Sequence, residues 1–379
     1  MAATVATSAT SAAVLPGDVA ALLRAGTVIP AHPLALTSGR RLDERHQRAL
    51  TRYYVASGAG GVAIGVHTTQ FEIREPGIDL YEPVLALTAD VLDAEVGRGP
   101  AAVRPFVRVA GVAGPTAQAV AEAEVAARLG YHAVLLSPPR PHADDPLLAD
   151  RAAFEDHMIE RAAAVGEVLP VIGFYLQAAI RGPRLSLDFW RRFADLECVV
   201  AIKAAPFDRY RTLDVARAVA GSDRGPQIAL YTGNDDAIVA DLLSDLTFEG
   251  PDGTPVTRHV RGGLLGHWSV WTRRAVELFD QVGRARGGDR EALADLVARS
   301  AAITDANAAL FDPSHGFAGC IAGVHEVLRR QGLLAGTWCL DPAETLSPGQ
   351  PEEIDRVLRL HPWLTDDDFV AEHLDGWLR

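Results

Sequence analysis

Short apolar segments rich in β-branched residues recur about every 30 residues along most of the chain, separated by longer segments of helical periodicity. Such alternation is typical of βα units arranged around a parallel sheet. Eight predicted strands favour an α/β fold of the closed (β/α)8 TIM barrel type over an open doubly wound sheet. The predicted strands are residues 28–36, 61–66, 103–109, 133–137, 171–176, 199–204, 227–232 and 260–266.

Predicted helices separate these strands, and only helical patterns continue after residue 268. We therefore expect a barrel at 24–285, a C-terminal helical extension at 286–379, and a disordered or loosely attached segment at 1–23. Two polar insertions, 141–151 and 248–258, fall in barrel connections, and the first lies on the side where substrate loops are found. The predicted helices between strands include 43–57, 116–129, 153–168, 187–194, 212–220 and 235–246.

Composition, charge and motif spacing disfavour several kinds of partner and binding site. The net charge of -13 disfavours nucleic acid and anionic membranes as partners, and no run of about 18 apolar residues could span a bilayer. Cys198, Cys320 and Cys339 are far apart and lack the CxxC spacing of metal and redox sites, which fits a reducing cytoplasm. The glycine-rich segment 58–63 precedes a predicted strand, whereas a dinucleotide-binding loop follows one. We expect a cytoplasmic protein without metal or cofactor.

The basic residues are divided unevenly between arginine and lysine. Of the 36 basic residues only Lys203 is a lysine. Arginine serves solubility equally well, but it cannot lose its proton near neutral pH or form an imine. Strand alternation places Lys203 on one face with Val199 and Ala201. If that face lines the barrel, desolvation lowers the pKa of the amine and prepares it to attack a ketone; the alternative is a lysine that extends to water.

Two further features follow neighbouring predicted strands. Tyr175 lies near the end of the strand before Lys203, where a phenol could relay protons during imine chemistry or simply fill space. Thr68 and Thr69 follow the second strand, where hydroxyl and backbone N–H groups could bind the carboxylate of a 2-oxo acid. Threonine is also common at strand ends for steric reasons alone. The sequence thus predicts an amine, a phenol and a carboxylate site at one mouth of the barrel.

Several segments together resemble those of the dihydrodipicolinate synthase and N-acetylneuraminate lyase superfamily. The order of the segments and the interval from Tyr175 to Lys203 match the pattern of that superfamily. The segments are Tyr54-Val-Ala-Ser-Gly58, Val62-Ala-Ile-Gly-Val-His-Thr-Thr69, Ala133-Val-Leu-Leu-Ser-Pro-Pro139, Gly173-Phe-Tyr175, Val200-Ala-Ile-Lys203, Gly233-Asn-Asp-Asp236 and Gly262-Gly-Leu-Leu-Gly266.

The resemblance implies a class I aldolase or lyase. By this resemblance Lys203 forms a Schiff base with pyruvate or a related 2-oxo acid, and Tyr175 relays protons. Thr68 and Thr69 hold the carboxylate of the 2-oxo acid. The resemblance also implies C-terminal helices packed on the barrel, an aldehyde as the second small molecule, and assembly as a homodimer or homotetramer.

The chain also departs from the superfamily pattern at several places. The usual Gly-Thr-Thr-Gly-Glu is His67-Thr-Thr-Gln-Phe71, Pro-Tyr-Tyr is Pro138-Pro-Arg140, and Asn-Val-Pro after the tyrosine is Leu176-Gln-Ala178. Ile180, next to Arg181, stands where the synthases have a carboxylate-binding arginine. These departures indicate an activity other than that of the lysine-pathway synthases.

Candidates for contacts to the second substrate lie at predicted strand ends or in βα loops. Arginines at the mouth would suit an acidic or polar acceptor, because arginine pairs with carboxylates through two hydrogen bonds. Two alternatives to a carbon–carbon lyase remain open: a Schiff-base dehydratase or decarboxylase of a longer 2-oxo acid, and a barrel that binds a 2-oxo acid without turnover. The candidates are His67, Arg140, Arg181, His267 and Trp268.

Overall fold

Eight parallel strands form a barrel at the centre of the protein, as the recurring apolar segments predict. The computed structural model describes residues 13–97, 103–139, 150–180 and 182–379. A ninth strand pairs antiparallel with the first half of the last one. The strands are β1 Val28–Pro30, β2 Gly61–Ile64, β3 Val107–Val112, β4 Ala133–Leu136, β5 Val171–Leu176, β6 Val199–Ala205, β7 Ala229–Thr232, β8 Asp245–Glu249 and β9 Pro255–Leu265.

The barrel strands are arranged in chain order. From β2 to β7 each strand pairs in parallel with the next, and β9 pairs with β7 on one side and with β1 on the other. The ring closes where Ala31 and Ala63 form a parallel bridge and the His32 N–H donates to the Ala63 carbonyl at 2.8 Å. Because the ring closes, the strands satisfy one another's backbone hydrogen bonds around the barrel.

A helix follows each barrel strand, and a further group of helices follows the barrel. Several helices begin at a side-chain cap, as at Asp43, Ser186 and Asp208, whose oxygens accept the first free N–H groups. Among the described residues no helix is long and apolar enough to cross a membrane. The helices are α1 Gly17–Ala25, α2 Glu44–Ala56, α3 Tyr81–Glu95, α4 Thr116–Arg128, α5 Arg151–Gly166, α6 Leu187–Ala194, α7 Arg209–Ala220, α8 Ile238–Leu243, α9 Thr272–Arg286, α10 Arg290–Phe311, α11 Cys320–Arg330, α12 Gln350–Leu360 and α13 Asp367–Trp377.

Two apolar layers hold the strands in place. Inward-pointing side chains such as Val109, Leu135 and Ile172 fill the barrel. Their neighbours along the strands, such as Val134 and Ile202, pack outward beneath the surrounding helices. Since side chains alternate along a strand, a single-residue change of register would exchange the two layers.

Helix α1 seals the N-terminal end of the barrel. Val19 and Leu23 are buried against the inward-pointing layer, and the Tyr231 hydroxyl donates to the Leu23 carbonyl at 3.0 Å. We expected residues 1–23 to be loosely attached, and this is wrong from Gly17 onward. The reason is that the helix supplies the apolar side chains that cover the open end of the barrel.

The C-terminal helices are fixed to the barrel through buried contacts. The Tyr53 hydroxyl in α2 donates to the Asp366 carboxylate at 2.7 Å, just before α13. Gln350 in α12 donates to backbone carbonyls at the end of α10 and ahead of α11. Apolar residues of the extension belong to the same buried layer as the outward-facing strand residues. The extension therefore packs on the barrel rather than following it on a free linker.

Two predicted strands lose several residues at one end in the structure. The segment predicted at 28–36 is a strand only as far as Pro30, and the segment predicted at 103–109 begins its strand later, at Val107. Proline has no backbone N–H to donate to a neighbouring strand, and Pro105 precedes the start of β3.

The polar insertion at 248–258 forms the turn and flanks of a β-hairpin. β8 and the first half of β9 pair antiparallel from Asp245 with His259 to Glu249 with Pro255. The helix predicted at 235–246 is shorter than expected because this hairpin begins at Asp245. The insertion at 141–151 lies almost entirely outside the described residues.

Candidate active site

A narrow cavity of about 50 Å³ opens at the C-terminal ends of the barrel strands. Barrel strands, the loops that follow them and the C-terminal extension all contribute to its walls. In TIM barrels this end carries the active site, because the βα loops meet there. The lining residues are Ala31, Val66, His67, Thr68, Phe174, Leu176, Gln177, Ile180, Lys203, Ala205, Phe207, Gly233, Asp235, Gly266, Phe311, Phe317 and Cys320.

Lys203 lies inside this cavity, near the end of β6. Ala201 shares its inward face, as strand alternation predicts. Val199 does not share that face and instead packs in the outer layer, because the pairing of β5 with β6 shifts at Val171. The face predicted for Val199 is therefore wrong, because the bulge turns its side chain outward. Lys203 points inward, as predicted.

The Lys203 amine is sheltered from solvent without being neutralised by a close carboxylate. Its residue is 8% exposed, and Nζ makes no hydrogen bond or ion pair with another described residue. Nζ lies 4.5 Å from the centre of the Phe174 ring. A Cβ at Gly233 would lie 2.4 Å from Lys203 Cε, so glycine is needed where the loop after β7 passes the lysine. The space around the amine is therefore kept open by the sequence of that loop.

Burial moves the pKa values of Lys203 and Asp235 toward each other. Desolvation lowers the pKa of Lys203 to about 8, and the negative charge of Asp235 opposes this change. Desolvation also raises the pKa of Asp235 to about 7, while hydrogen bonding to the His267 N–H and the charge of Lys203 oppose the rise. Near neutral pH the amine can therefore lose its proton and the carboxyl can carry one.

Asp235 is the functional candidate that the sequence analysis did not select. It follows β7, and its Oδ1 accepts from the His267 N–H at 2.8 Å, which joins the loops after β7 and β9. Asp235 is also buried and lines the cavity with Lys203. The segment Gly233-Asn-Asp-Asp236 was visible as a match to the superfamily, but two adjacent aspartates gave no sign of which one faces inward.

The structure does not bring Tyr175 into the cavity. Its hydroxyl donates to the Leu185 carbonyl at 3.3 Å and accepts from Arg211 Nη1 at 3.1 Å. Its ring packs 5.1 Å from that of Trp190, beneath the helices outside the barrel. The role of proton relay expected for Tyr175 is therefore wrong for this geometry, because the phenol and the amine lie on opposite sides of the sheet.

Strand pairing explains why Phe174, rather than Tyr175, faces the amine. In the register of β5 with β6, Phe174 pairs with Lys203 and Tyr175 pairs with Ala204. Paired residues of neighbouring parallel strands point to the same face, and successive residues alternate. The interval from Tyr175 to Lys203 matches the superfamily pattern in sequence, yet the side chain next to Lys203 is a phenyl ring without a titratable proton.

The two threonines after β2 have separate positions. Thr69 Oγ1 accepts from the N–H groups of Gly65 and Val66 and donates to the His32 carbonyl, so its hydroxyl holds the turn together. Thr68 lines the cavity, and its hydroxyl donates to the Ala31 carbonyl at 2.8 Å. Of the pair, Thr68 is the one placed to contact a ligand.

The two histidines predicted to contact the substrate lie at different cavities. His67 lines the cavity of Lys203. The side chains of His267 and Trp268 instead line a different cavity, of about 310 Å³, beside α9 and α10. Burial lowers the pKa of His267 to about 4, so its ring is neutral near pH 7. His267 serves the Lys203 cavity through its backbone N–H, and its side chain is not a contact for a ligand there.

The extension supplies a wall of the cavity that the sequence did not predict. Phe311 ends α10, Phe317 lies in the following loop, and Cys320 begins α11. The predicted arginines Arg140 and Arg181 lie outside the described residues. Within the described part of the chain, no group of three or more His, Cys, Asp or Glu side chains could hold a metal ion.

Comparison with known proteins identifies relatives by structure. No protein-family model matches the sequence, and no curated protein is detectably similar to it. Dihydrodipicolinate synthase from Oceanobacillus iheyensis matches with a TM-score of 0.68 and 17% identity over 91% of this chain and 100% of that one. N-acetylneuraminate lyase from Fusobacterium nucleatum matches with a TM-score of 0.65 and 15% identity over 90% and 100%.

A third solved structure is YagE, a prophage protein of E. coli K12 from the dihydrodipicolinic acid synthase family, in complex with pyruvate. It matches with a TM-score of 0.66 and 16% identity over 89% of this chain and 98% of that one. The matches cover about nine tenths of this chain, at sequence identities that establish architecture alone. The protein therefore has the (β/α)8 barrel fold with C-terminal helices that is found in dihydrodipicolinate synthase and N-acetylneuraminate lyase structures.

Proposed function

We propose that this protein is a divergent member of the dihydrodipicolinate synthase and N-acetylneuraminate lyase superfamily. On this proposal it is a class I lyase that makes or breaks a carbon–carbon bond through an imine between Lys203 and pyruvate or a related 2-oxo acid. One observation carries the proposal: the single lysine of the chain lies 8% exposed in a cavity at the catalytic end of the barrel, with its pKa lowered by desolvation.

The chemistry begins with the neutral Lys203 amine, which attacks the C2 carbonyl to give a carbinolamine. This takes one proton, for which the protonated Asp235 carboxyl is our candidate donor, and loses water to give an iminium ion. In the cleavage direction the substrate C4 hydroxyl loses its proton and the C3–C4 bond breaks, releasing an aldehyde. The electron pair of that bond passes into the enamine, for which the iminium acts as the electron sink. Protonation at C3 and hydrolysis of the imine then release pyruvate and restore the amine.

Asp235 is our candidate for the group that moves protons. It shares the cavity with Lys203, and burial raises its pKa to about 7, so it can donate and accept a proton at neutral pH. The phenyl ring of Phe174 beside the amine cannot perform this step. Asp235 thus takes the role that the sequence had assigned to Tyr175.

Thr68 is our candidate for a contact to the carboxylate of the 2-oxo acid. Its hydroxyl is at the cavity wall on the turn after β2, held in place by the Thr69 hydroxyl. Pyruvate as the ligand is supported by likeness to YagE and to the Fusobacterium nucleatum lyase, whose structures were solved with pyruvate. We further propose that His67, Arg140 and Arg181 contact the remainder of the substrate.

The test is borohydride reduction in the presence of pyruvate, followed by intact mass measurement and peptide mapping. We expect one reduced adduct, on the peptide that contains Lys203. Lys203→Arg is the matched control, since it keeps the positive charge but cannot form an imine. Any adduct at the α-amino group persists in this variant and defines the background.

The outcome that overturns the proposal is the absence of a Lys203 adduct with pyruvate and with a panel of longer 2-oxo acids. Product analysis then separates the kinds of chemistry. Release of free pyruvate with an aldehyde supports the lyase. Loss of water or carbon dioxide without free pyruvate indicates a dehydratase or decarboxylase, and an adduct without any turnover indicates a binding protein.

A further inference from the structure

Two phenylalanines form the mouth of the Lys203 cavity. Phe207 lies in the loop after β6, and Phe317 lies between α10 and α11. Both line the cavity and both are half-buried. Their rings meet edge to face, with centres 5.9 Å apart and an interplanar angle of 77°. The mouth is therefore formed by one aromatic side chain from the barrel and one from the extension.

The backbone at both positions is in the left-handed region. Phe207 has φ 51° and Phe317 has φ 70°, values that bulky residues rarely adopt and that cost conformational free energy. Neighbouring groups maintain them: the Phe207 N–H donates to Asn234 Oδ1 and the Phe317 N–H donates to the Asp312 carbonyl, each at 3.0 Å. Strained positions that the surroundings enforce are concentrated at ligand clamps and active sites.

The remaining outer wall is also apolar. Phe174, Leu176, Ile180 and Phe311 line the cavity together with the two phenylalanines of the mouth. The charged lining residues among those described are Lys203 and Asp235, both buried, with the hydroxyl of Thr68 nearby on the second-strand turn. Gln177 and His67 are the further polar side chains of the wall. The cavity thus combines a small polar group of residues around the amine with walls made mostly of rings and aliphatic side chains.

Such a wall discriminates against hydroxylated chains. A hydroxyl group placed against phenyl and aliphatic side chains loses its hydrogen bonds to water without replacing them, whereas an apolar group gains from the same contact. An aromatic group also stacks favourably on phenylalanine rings in edge-to-face or offset geometry.

We propose that the aldehyde made or consumed at Lys203 carries an aromatic or branched aliphatic group, which packs against the contacting rings of Phe207 and Phe317, rather than a polyhydroxylated chain. This inference rests on the proposed lyase function. The corresponding substrate of cleavage is a 4-hydroxy-2-oxo acid with an apolar substituent at C4. Its C3–C4 bond breaks as described above, and the apolar aldehyde leaves past the two rings.

The test compares aldehydes in the condensation direction with pyruvate. Benzaldehyde and 2-methylpropanal represent apolar acceptors, and glyceraldehyde and erythrose represent hydroxylated ones. We expect kcat/KM to favour the apolar aldehydes by about 10-fold or more, the scale of discrimination that a hydrophobic pocket provides. Equal or better use of the hydroxylated aldehydes would overturn the inference.

Substitutions at the mouth assign the preference to the rings. Phe317→Ala should reduce the ratio of kcat/KM for benzaldehyde over glyceraldehyde by about 10-fold, and Phe317→Leu should retain part of it. Phe248→Ala makes the same change in β8, away from the cavity, and should leave the ratio as in the wild type. An unchanged ratio in Phe317→Ala would also contradict the inference.

Trapping separates this inference from the proposed function. If wild-type protein gives no Lys203 adduct with any 2-oxo acid, the imine function itself fails. If the adduct forms and the aldehyde preference is absent or reversed, the imine function stands and only the apolar substrate class is wrong.

Discussion

At the scale of single residues, Lys203 and Asp235 are two buried groups whose charged forms are each disfavoured by desolvation. Each charge partly stabilises the other, and burial has the larger effect on both pKa values. A lysine in water keeps its proton to high pH and reacts slowly with ketones. Both groups therefore exchange their protons within the same narrow range of pH, close to neutrality.

The rate of trapping by pyruvate and borohydride should rise with pH through a midpoint near 8, the pKa of Lys203, because only the neutral amine attacks. In Asp235→Asn the midpoint should move to lower pH, since the negative charge of Asp235 raises the pKa of Lys203. The same variant should lower kcat by about 100-fold or more, the usual contribution of a general acid or base. Trapping at stepped pH and steady-state kinetics measure the two effects.

Asp236→Asn is the matched control for this experiment. Asp236 adjoins Asp235 in sequence but is not among the lining residues of the cavity, and its charge raises the pKa of Asp235. The other titratable side chains of the cavity wall, His67 and Cys320, are unchanged in both variants. A midpoint that stays in place or rises in Asp235→Asn would show that the carboxylate does not act on the amine.

Replacement of Tyr175 by Phe should reduce stability without reducing catalysis. The variant loses the bonds to Leu185 and Arg211, which predicts a loss of about 1 kcal/mol in the free energy of unfolding. The hydroxyl lies outside the cavity, so kcat and Lys203 trapping should remain close to wild type. Urea unfolding and product assays measure these quantities, and a large fall in kcat at unchanged stability would restore Tyr175 as the relay.

At the scale of secondary structure elements, α12 connects the end of α10 to the start of α11. This part of the extension lines the Lys203 cavity. Gln350 Nε2 donates to the carbonyls of Ala309, Leu310 and Gly319, and its Oε1 accepts from the Ser347 N–H. These bonds connect the end of α10 to the start of α11, on either side of Phe317. A buried amide in α12 thereby fixes the position of a ring at the mouth of the site.

Gln350→Leu should destabilise the protein by about 1–3 kcal/mol, because leucine leaves buried carbonyls without a donor. The same change at Gln227, which is exposed, should have a much smaller effect. Denaturant unfolding measures both variants. Since these bonds position Phe317, Gln350→Leu should also weaken the preference for apolar aldehydes. Equal stability of Gln350→Leu and Gln227→Leu would contradict this account of α12.

At the scale of the whole molecule, barrel and extension share one buried core. The outer apolar layer continues from the strands through the barrel helices to Leu296, Val324 and Val370 of the extension. Polar contacts such as that of Tyr53 with Asp366 cross the same boundary. Elements that depend on common buried contacts unfold together rather than in succession.

We therefore expect barrel and extension to unfold in a single cooperative transition. Trp190 reports on α6 of the barrel, and Trp363 and Trp377 report on the C-terminal end of the extension. Tryptophan fluorescence and far-ultraviolet circular dichroism should give the same midpoint in denaturant. Two separated transitions, or a calorimetric trace with two peaks, would show that the extension is an independent unit.

Much of the architecture follows from local patterns in the sequence. The eight strand positions, the order of the helices and the C-terminal extension arise from periodicity, which each segment carries by itself. The exceptions are segments whose structure depends on contacts with other segments or on a nearby proline. α1 became a helix that seals the barrel, and β1 and β3 have bounds that differ from the apolar pattern near prolines.

The sequence by itself determined that Lys203 is chemically unusual, because an arginine-rich chain with a single lysine marks that position without any coordinates. It also determined the βα pattern. Only the tertiary structure decided that Phe174 and Asp235, rather than Tyr175, face the amine, and that Phe317 closes the mouth from a distant part of the chain. The physical reason is that side-chain direction depends on strand register, and a shared cavity depends on packing between segments far apart in sequence.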